Sequence, residues 1–243
     1  MSWRLIIHDR VGSTQDVAKK LAVAGEPEGV AIMALQQTTG RGRKGRKWES
    51  GASKDLALSL LLRPDVPPWR SPLLGFLAAV AVARTITPLI PRPAQVRWPN
   101  DVLVEGKKVA GILAEGTVQG DALRFVILGV GLNVNSTLED FPPELHDRAI
   151  SVFMVRGQIW DLQAAANSFL REFALLYDEM RIQGTAFIVP LWESLWAHRG
   201  AILERDGVKG VAEGINPDGS LRLKLDDGSV MVLSSGEVFP VDR

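Results

Sequence analysis

Apolar positions along this chain fall into two kinds of run, and each kind predicts a different element. Short runs rich in Val, Ile and Leu predict buried strands at Leu5-Ile6-Ile7, 30–36, 56–62 and 123–130. Longer runs with apolar residues every three or four positions predict helices. Val17 and Leu21 share one face of a helix that opens at Ser13 and ends at Gly25. Ser13 is placed to cap its free amides, and Asp16 completes a capping-box pattern. Ser71-Pro72 starts a second helix, which passes through Leu73-Leu74 and Phe76-Leu77 and stops near Thr87, before Pro88. Its continuous apolarity predicts burial against a sheet. A long amphipathic helix covers about 161–180, with Leu162, Phe169, Phe173 and Leu176 at helical spacing, and another spans about 190–197.

Between the second and third helices the pattern is that of a hairpin. Val96-Arg97-Trp98 is a short strand broken by Pro99, and 102–104 and 109–113 pair through Glu105-Gly106. Gly129 and Gly131 close the 123–130 strand where a backbone or a ligand must come near. The character changes after His198. Residues 200–243 read as short strands with tight turns at Asp218-Gly219 and Asp227-Gly228, which predicts a small β-barrel of the SH3 type. The expected units are 1–197 and 198–243.

Composition narrows the chemistry. The chain has 243 residues, 46% hydrophobic and 23% charged, as soluble globular proteins do. It has no cysteine, so thiolate nucleophiles, thiolate metal sites and disulfides are excluded. His8, His146 and His198 lack metal-ligand spacing. No signal-peptide pattern follows Met1, and the longest apolar run, 73–83, is far short of the roughly 20 residues of a membrane span. A cytoplasmic protein without a membrane partner is the expectation.

Charge then supplies the strongest local signal. Lys and Arg total 28 against 28 Asp and Glu, yet five cations fall within the seven residues 41–47. They are Arg41, Arg43, Lys44, Arg46 and Lys47, interleaved with Gly42 and Gly45 and closed by Trp48. Like charges so dense repel one another, and an anion would offset that cost. The glycines let main-chain N–H groups converge on such an anion. A solvated surface loop is the commoner fate of a charge run, but it gains nothing from Trp48. No Gly-Lys-Ser/Thr opens a helix here, so this is not a Walker loop. Three weaker constellations accompany it: Ser13-Thr14-Gln15, Arg97-Trp98-Pro99-Asn100-Asp101, and Lys107-Lys108-Val109-Ala110-Gly111-Ile112-Leu113. Taken singly they read as a helix cap, a turn and a hairpin mouth. Strand alternation sends Lys107 and Lys108 to opposite faces.

Order and spacing change that judgement. Ser-Thr, Gln37-x-x-Gly40-Arg41-Gly42-Arg43-x-Gly45-Arg46-x-Trp48, Trp98-Pro99-Asn100-Asp101-Val102, Lys108-x-Ala-Gly-Ile-Leu and Gly129-x-Gly131-x-Asn133 occur in that sequence. The chain resembles the biotin protein ligases, in the class without an N-terminal DNA-binding domain, over about residues 3–243. The resemblance implies an α+β fold with a mixed, mainly antiparallel sheet packed on helices, and a small C-terminal SH3-like barrel. It implies activation of biotin by ATP and Mg²⁺ to biotinyl-5′-AMP, then transfer to a lysine of a biotin carboxyl carrier domain.

By motif match, the resemblance assigns Ser13, Thr14, Gln15, Gln37, Gly40, Arg41, Gly42, Arg43, Lys108 and Gly111 to biotin. It assigns Arg43, Arg46, Trp48, Trp98, Asn100, Asp101 and Asn133 to the nucleotide. Lys108 and Arg41 are the implied catalytic residues, and Asp101 the implied magnesium contact. Closure of 40–48 over the adenylate, a homodimer and no DNA-linked repression complete the expectations. Two departures stand out: Gln15 where the family usually has Asn, and Ser50-Gly51-Ala52-Ser53-Lys54-Asp55 where it has Ser-Pro-x-Gly-x-Asn. A lipoate or octanoate ligase is the rival of the same fold. A nucleic-acid-binding module is the rival of another class, and a sequence pI of about 6.9 without a second basic patch weighs against it. An inactive scaffold is the third reading, and the intact Lys108 and Arg41 weigh against that one.

Overall fold

The computed structural model describes residues 1–45, 48 and 53–241. The chain opens with β1 (Arg4–Val11), α1 (Thr14–Val23), β2 (Val30–Gln37), β3 (Leu56–Leu62) and α2 (Pro72–Ile86). It continues through β4 (Gln95–Arg97), β5 (Asp101–Val104), β6 (Lys107–Gln119) and β7 (Ala122–Leu132). Then come α3 (Val152–Arg156), α4 (Leu162–Gln183) and α5 (Ile188–Glu193). β8 (Ile202–Arg205), β9 (Val208–Ile215), β10 (Leu221–Lys224), β11 (Val230–Leu233) and β12 (Phe239–Pro240) end it.

The first seven strands form one sheet in the order β1-β2-β3-β7-β6-β5-β4. β1 and β2 are parallel, joined through α1, and every other neighbouring pair is antiparallel. This is the mixed, mainly antiparallel sheet the resemblance implied. Alternation along β3 divides its residues between two layers. Leu56, Leu58, Leu60 and Leu62 join α2, α4 and α5 in the main core, whereas Leu61 faces α1 with Val30, Ile32 and Ile127. The apolarity of α2 is explained by its place, because nearly every side chain from Leu73 to Ile86 is buried in that core. Its composition would also suit a membrane span, but here it is a core helix.

The last five strands form a separate antiparallel sheet in the order β11-β10-β9-β8-β12, fitting the expected small barrel. Trp98 ties the two sheets together: it is 2% exposed, and its Nε1 donates to Gly219 O at 2.9 Å.

Four elements differ from expectation. β6 and β7 extend well beyond 113 and before 123, because backbone pairing continues through the polar, half-exposed 114–119 that no apolar run marks. α3 lies outside the expected elements; Ser151 Oγ accepts from Met154 N at its start, and Gly157, at φ 73°, ends it in the left-handed region. The last helix of the first unit ends at Glu193 rather than near 197.

Candidate active site

Small residues make a floor on the α1 face of the sheet. Ala34 lies opposite Ala57, Ala57 opposite Gly131, Gly131 opposite Gly111, and Gly111 opposite Asp101, across five strands. The next row repeats the theme with Ser59 opposite Gly129. Beyond it, Ala18 and Ala22 of α1 cover Leu61 and Ile127. A helix packs where the rows are large, and a shallow recess remains where they are small. Trp48 enters that recess. A Cβ added at Gly131 would lie 2.3 Å from Trp48 Cε2, and one at Gly111 would lie 3.0 Å from Trp48 Cζ3. Only glycine admits the indole at the first of these positions.

The N-terminus of α1 forms one wall. Thr14 N and Oγ1 both reach Gln37 Oε1, at 2.8 and 3.1 Å, and Thr14 Oγ1 lies 2.7 Å from Ser59 Oγ. Ser13 occupies the cap position, but the expected capping box does not form. Asp16 pairs instead with Arg41 Nη1 at 2.8 Å, and among the described residues the buried Ser13 Oγ has no partner. Gln15 is buried as well, its Nε2 3.1 Å from Glu115 Oε2 on β6.

The basic loop closes on itself at its ends. Trp48 N donates to Gly40 O at 2.9 Å, and a Cβ at Gly40 would come within 2.5 Å of Trp48 O. Arg41, which leads the loop with the half-buried Gly42, is held by Asp16 and, at 3.4 Å, by Glu115. Arg43 Nη1 reaches Asn100 Oδ1 at 3.4 Å, and Asn100 is locked to β6 by Nδ2 donating to Ile112 O at 2.7 Å. Arg46 and Lys47, two residues of the 40–48 segment on which the closure expectation rests, lie outside the described residues.

The far wall is a charged triplet. Lys108 Nζ lies 2.6 Å from Asp101 Oδ1, and Arg97 Nη2 lies 2.6 Å from Asp101 Oδ2. The lysine's approach is oblique, so this contact is an ion pair rather than an aligned hydrogen bond. Burial alone would raise the Asp101 pKa, but the charges of Lys108 and Arg97 outweigh it and hold the carboxyl below its ordinary value. Lys108 Nζ also sits 5.5 Å from the Trp48 ring centroid and beside Gly111. Lys107 diverges as strand alternation requires, with Nζ on His146 O at 3.1 Å.

The structure thus gathers Ser13, Thr14, Gln15, Gln37, Gly40, Arg41, Arg43, Trp48, Asn100, Asp101, Lys108 and Gly111 around one recess. Two residues read from the sequence stand off the floor. Trp98 is packed in the core, where it lines a cavity together with Arg43 and Asn100. Asn133 is 4% exposed and donates through Nδ2 to Ile150 O at 3.0 Å, tying strands together. Sequence reasoning missed Ser59 and Glu115, which sit on plain strands with no motif signal, and Arg97, which opens a constellation named from the sequence, was given no role there. At the departure before β3, buried Asp55 accepts from Val134 N at 2.8 Å and Ser136 Oγ at 2.5 Å, and so anchors the segment after Asn133. Among the described residues no three of His, Asp and Glu cluster to hold a metal. Asp101 already carries two cations, so these side chains alone do not fit a resident metal ion.

Known proteins resemble this chain over both of its sheets. Residues 7–133 match the model of the biotin/lipoate A/B protein ligase family, and 201–239 match the biotin protein ligase C-terminal domain. The bifunctional ligase/repressor BirA of Bacillus subtilis is 38% identical over 97% of this chain and 74% of its own length. A biotin–[acetyl-CoA-carboxylase] ligase of Mycobacterium tuberculosis is 35% identical over 97% of this chain and 89% of its own. The Aquifex aeolicus biotin protein ligase, solved in complex with biotin and ATP, superposes with a TM-score of 0.81 at 28% identity, covering 97% of both chains.

Proposed function

The chain belongs to the biotin/lipoate A/B protein ligase family, and on that premise we propose that it is a biotin–protein ligase acting on a carboxyl carrier domain. In the first step a carboxylate oxygen of biotin attacks the α-phosphorus of ATP, the bond to the β-phosphate oxygen breaks, and pyrophosphate leaves. In the second, a carrier lysine amine attacks the acyl carbon, AMP departs, and the amine's proton goes to solvent. The observation that carries this reading is Lys108 Nζ, anchored 2.6 Å from buried Asp101 beside the Gly111–Gly131 floor.

Two anions must meet for the first step. A fixed cation at their junction offsets their repulsion and stabilises charge developing on the phosphorus oxygens. A lysine is a compact charge able to follow a moving phosphate, and Arg43 offers a planar fork for holding one. No side-chain nucleophile is required, in keeping with a chain without cysteine. Magnesium enters with the nucleotide, as part of the substrate. Polar Ser13, Thr14, Gln37 and Ser59 line the end of the recess, which suits a ureido ring better than a fatty chain.

In the same reading, residues 1–197 are the catalytic unit and 198–243 a separate one, acting in the cytoplasm. β6 beyond Gly111 has β7 on one side and no β5 partner on the other, and that open edge would serve a second copy in a homodimer. The test is incubation with ATP, labelled biotin and a carrier domain, with octanoate as competitor. Label on the carrier lysine is the expected result. Octanoate adenylated as well as biotin would overturn it, because a site built for polar groups rejects a ligand that leaves them unpaired.

A further inference from the structure

Arg97 and Asp101 stand opposite each other across β4 and β5, and their side chains meet in the far wall of the recess. Arg97 donates to Asp101 Oδ2 through Nη2 at 2.6 Å and through Nε at 3.2 Å, so one planar guanidinium grips a single oxygen with two donors. The strand beneath it is fixed as well. Val96 N donates to Leu195 O at 2.9 Å and Ala197 N to Val96 O at 3.0 Å, which fastens β4 to the segment after α5. Asp101 Oδ1 is left for Lys108 Nζ, at 2.6 Å. The lysine comes from β6 beside a register shift opposite Val102 and Leu103, where β6 carries an extra residue. Its side chain then lies over Gly111, where an added Cβ would fall 3.0 Å from Nζ and 3.1 Å from Cε. The two cations on Asp101 therefore differ in freedom. Arg97 is held by two hydrogen bonds, whereas Lys108 makes one oblique contact and runs over bare backbone toward the recess.

For Lys108 to serve a phosphate it must leave Asp101. Only 12% of the Asp101 side chain is exposed. A carboxylate so little hydrated is strongly destabilised when its last cation is withdrawn. We propose that Arg97 is a positioning residue for adenylation: by keeping Asp101 compensated, it lets Lys108 exchange that carboxylate for the reacting phosphate. The inference rests on the ligase reading above, and Arg97 itself touches no substrate in it. With Arg97 in place, the lysine's departure leaves a charge that is still matched. Without Arg97, Lys108 is the sole partner of Asp101 and stays on it, away from the phosphate. The chemistry of the two cations suits this division, since a guanidinium fork holds a carboxylate rigidly and an ammonium on a flexible stem can turn.

The experiment measures biotin-dependent pyrophosphate exchange by the full chain at saturating ATP and biotin, well below the melting temperature of each variant. Arg97→Met should lower the rate about tenfold, the scale of coupling within one ion network. The KM for biotin should move by less than about twofold, because the lost contact matters only when the phosphate reacts. Arg97→Lys keeps the charge and should recover most of the rate. Arg97→Gln keeps donors without the charge and should not. In a Lys108→Ala background, Arg97→Met should change the residual rate by less than about twofold, because no lysine remains to be released. A tenfold loss in both backgrounds would show that Arg97 acts on the fold or on substrate directly, and would overturn the inference. So would a wild-type rate in Arg97→Met or full recovery by Arg97→Gln. If Arg97→Met does not fold, Arg97→Lys and Arg97→Gln compared in both backgrounds decide the same question. A wild type without biotin-dependent exchange would instead remove the ligase reading.

Discussion

Trp48 lies against Gly131 so closely that a single added carbon would fall 2.3 Å from the indole Cε2 and 2.7 Å from Nε1. The aromatic end of the basic loop is therefore seated on the sheet by the absence of a side chain. Gly131→Ala should unseat it. We expect a stability loss of about 1–3 kcal/mol, as for overpacking, and a marked fall in adenylate formation. In a Trp48→Ala background the same substitution should cost far less stability. Equal costs in the two backgrounds, measured by denaturant unfolding, would show that the seat does not matter.

Lys108 and Lys107 are neighbours with opposite prospects. Lys108→Ala should lower the adenylation rate by roughly 10²–10³-fold, the scale for one preorganised charge or donor at a reacting phosphate. Biotin affinity should change much less. Among the described residues Lys107 Nζ reaches the His146 carbonyl, and Lys107→Ala should be nearly silent. Biotin-dependent pyrophosphate exchange distinguishes them, and similar losses in both would place the active lysine wrongly.

Asp101 predicts a pH signature. Its folded pKa is lowered from the ordinary 3.8. Protons therefore bind the unfolded chain more readily, and the stabilisation is complete above the unfolded value and lost as pH falls through the folded one. The melting temperature of the wild type minus that of Asp101→Asn should be flat from about pH 7 to 5 and shrink below about pH 4. Parallel curves down to pH 2 would exclude a charged Asp101 as the source.

The Trp98 tie between the sheets is also testable. Trp98→Phe keeps most of the buried ring and removes the donor to Gly219 O, at an expected cost of about 1–2 kcal/mol. Hydrogen exchange should quicken in 200–241 more than in α2. Uniform change across the chain would argue against a local tie.

Much of the fold and of the candidate site is legible in the amino-acid sequence, for physical reasons that differ by element. The strands 30–36 and 56–62 and the apolar α2 follow from burial on both sides, which leaves an unbroken hydrophobic run. The hairpin at Glu105-Gly106 is written locally, since both residues adopt positive φ, at 51° and 76°. The basic loop and Lys108 are visible as charges, and their roles as a resemblance in motif order. Local signals of this kind survive without knowledge of what lies across the sheet.

What the sequence could not show depends on register. Ser59 and Glu115 carry no motif, and they enter the site only because β3, β7 and β6 pair as they do. Asp16 reads as a capping residue and becomes the partner of Arg41, because a cation brought from another segment outweighs a local amide. Trp98 reads as an aromatic near a ligand, and its indole N–H also makes the junction with the second sheet. Sequence by itself determined which residues bear charge, which are buried and where the chain turns, since those depend on side-chain chemistry and nearest neighbours. Tertiary structure alone decided which glycine receives Trp48 and which carboxylate holds Gln15, because each is a contact between strands or loops far apart along the chain.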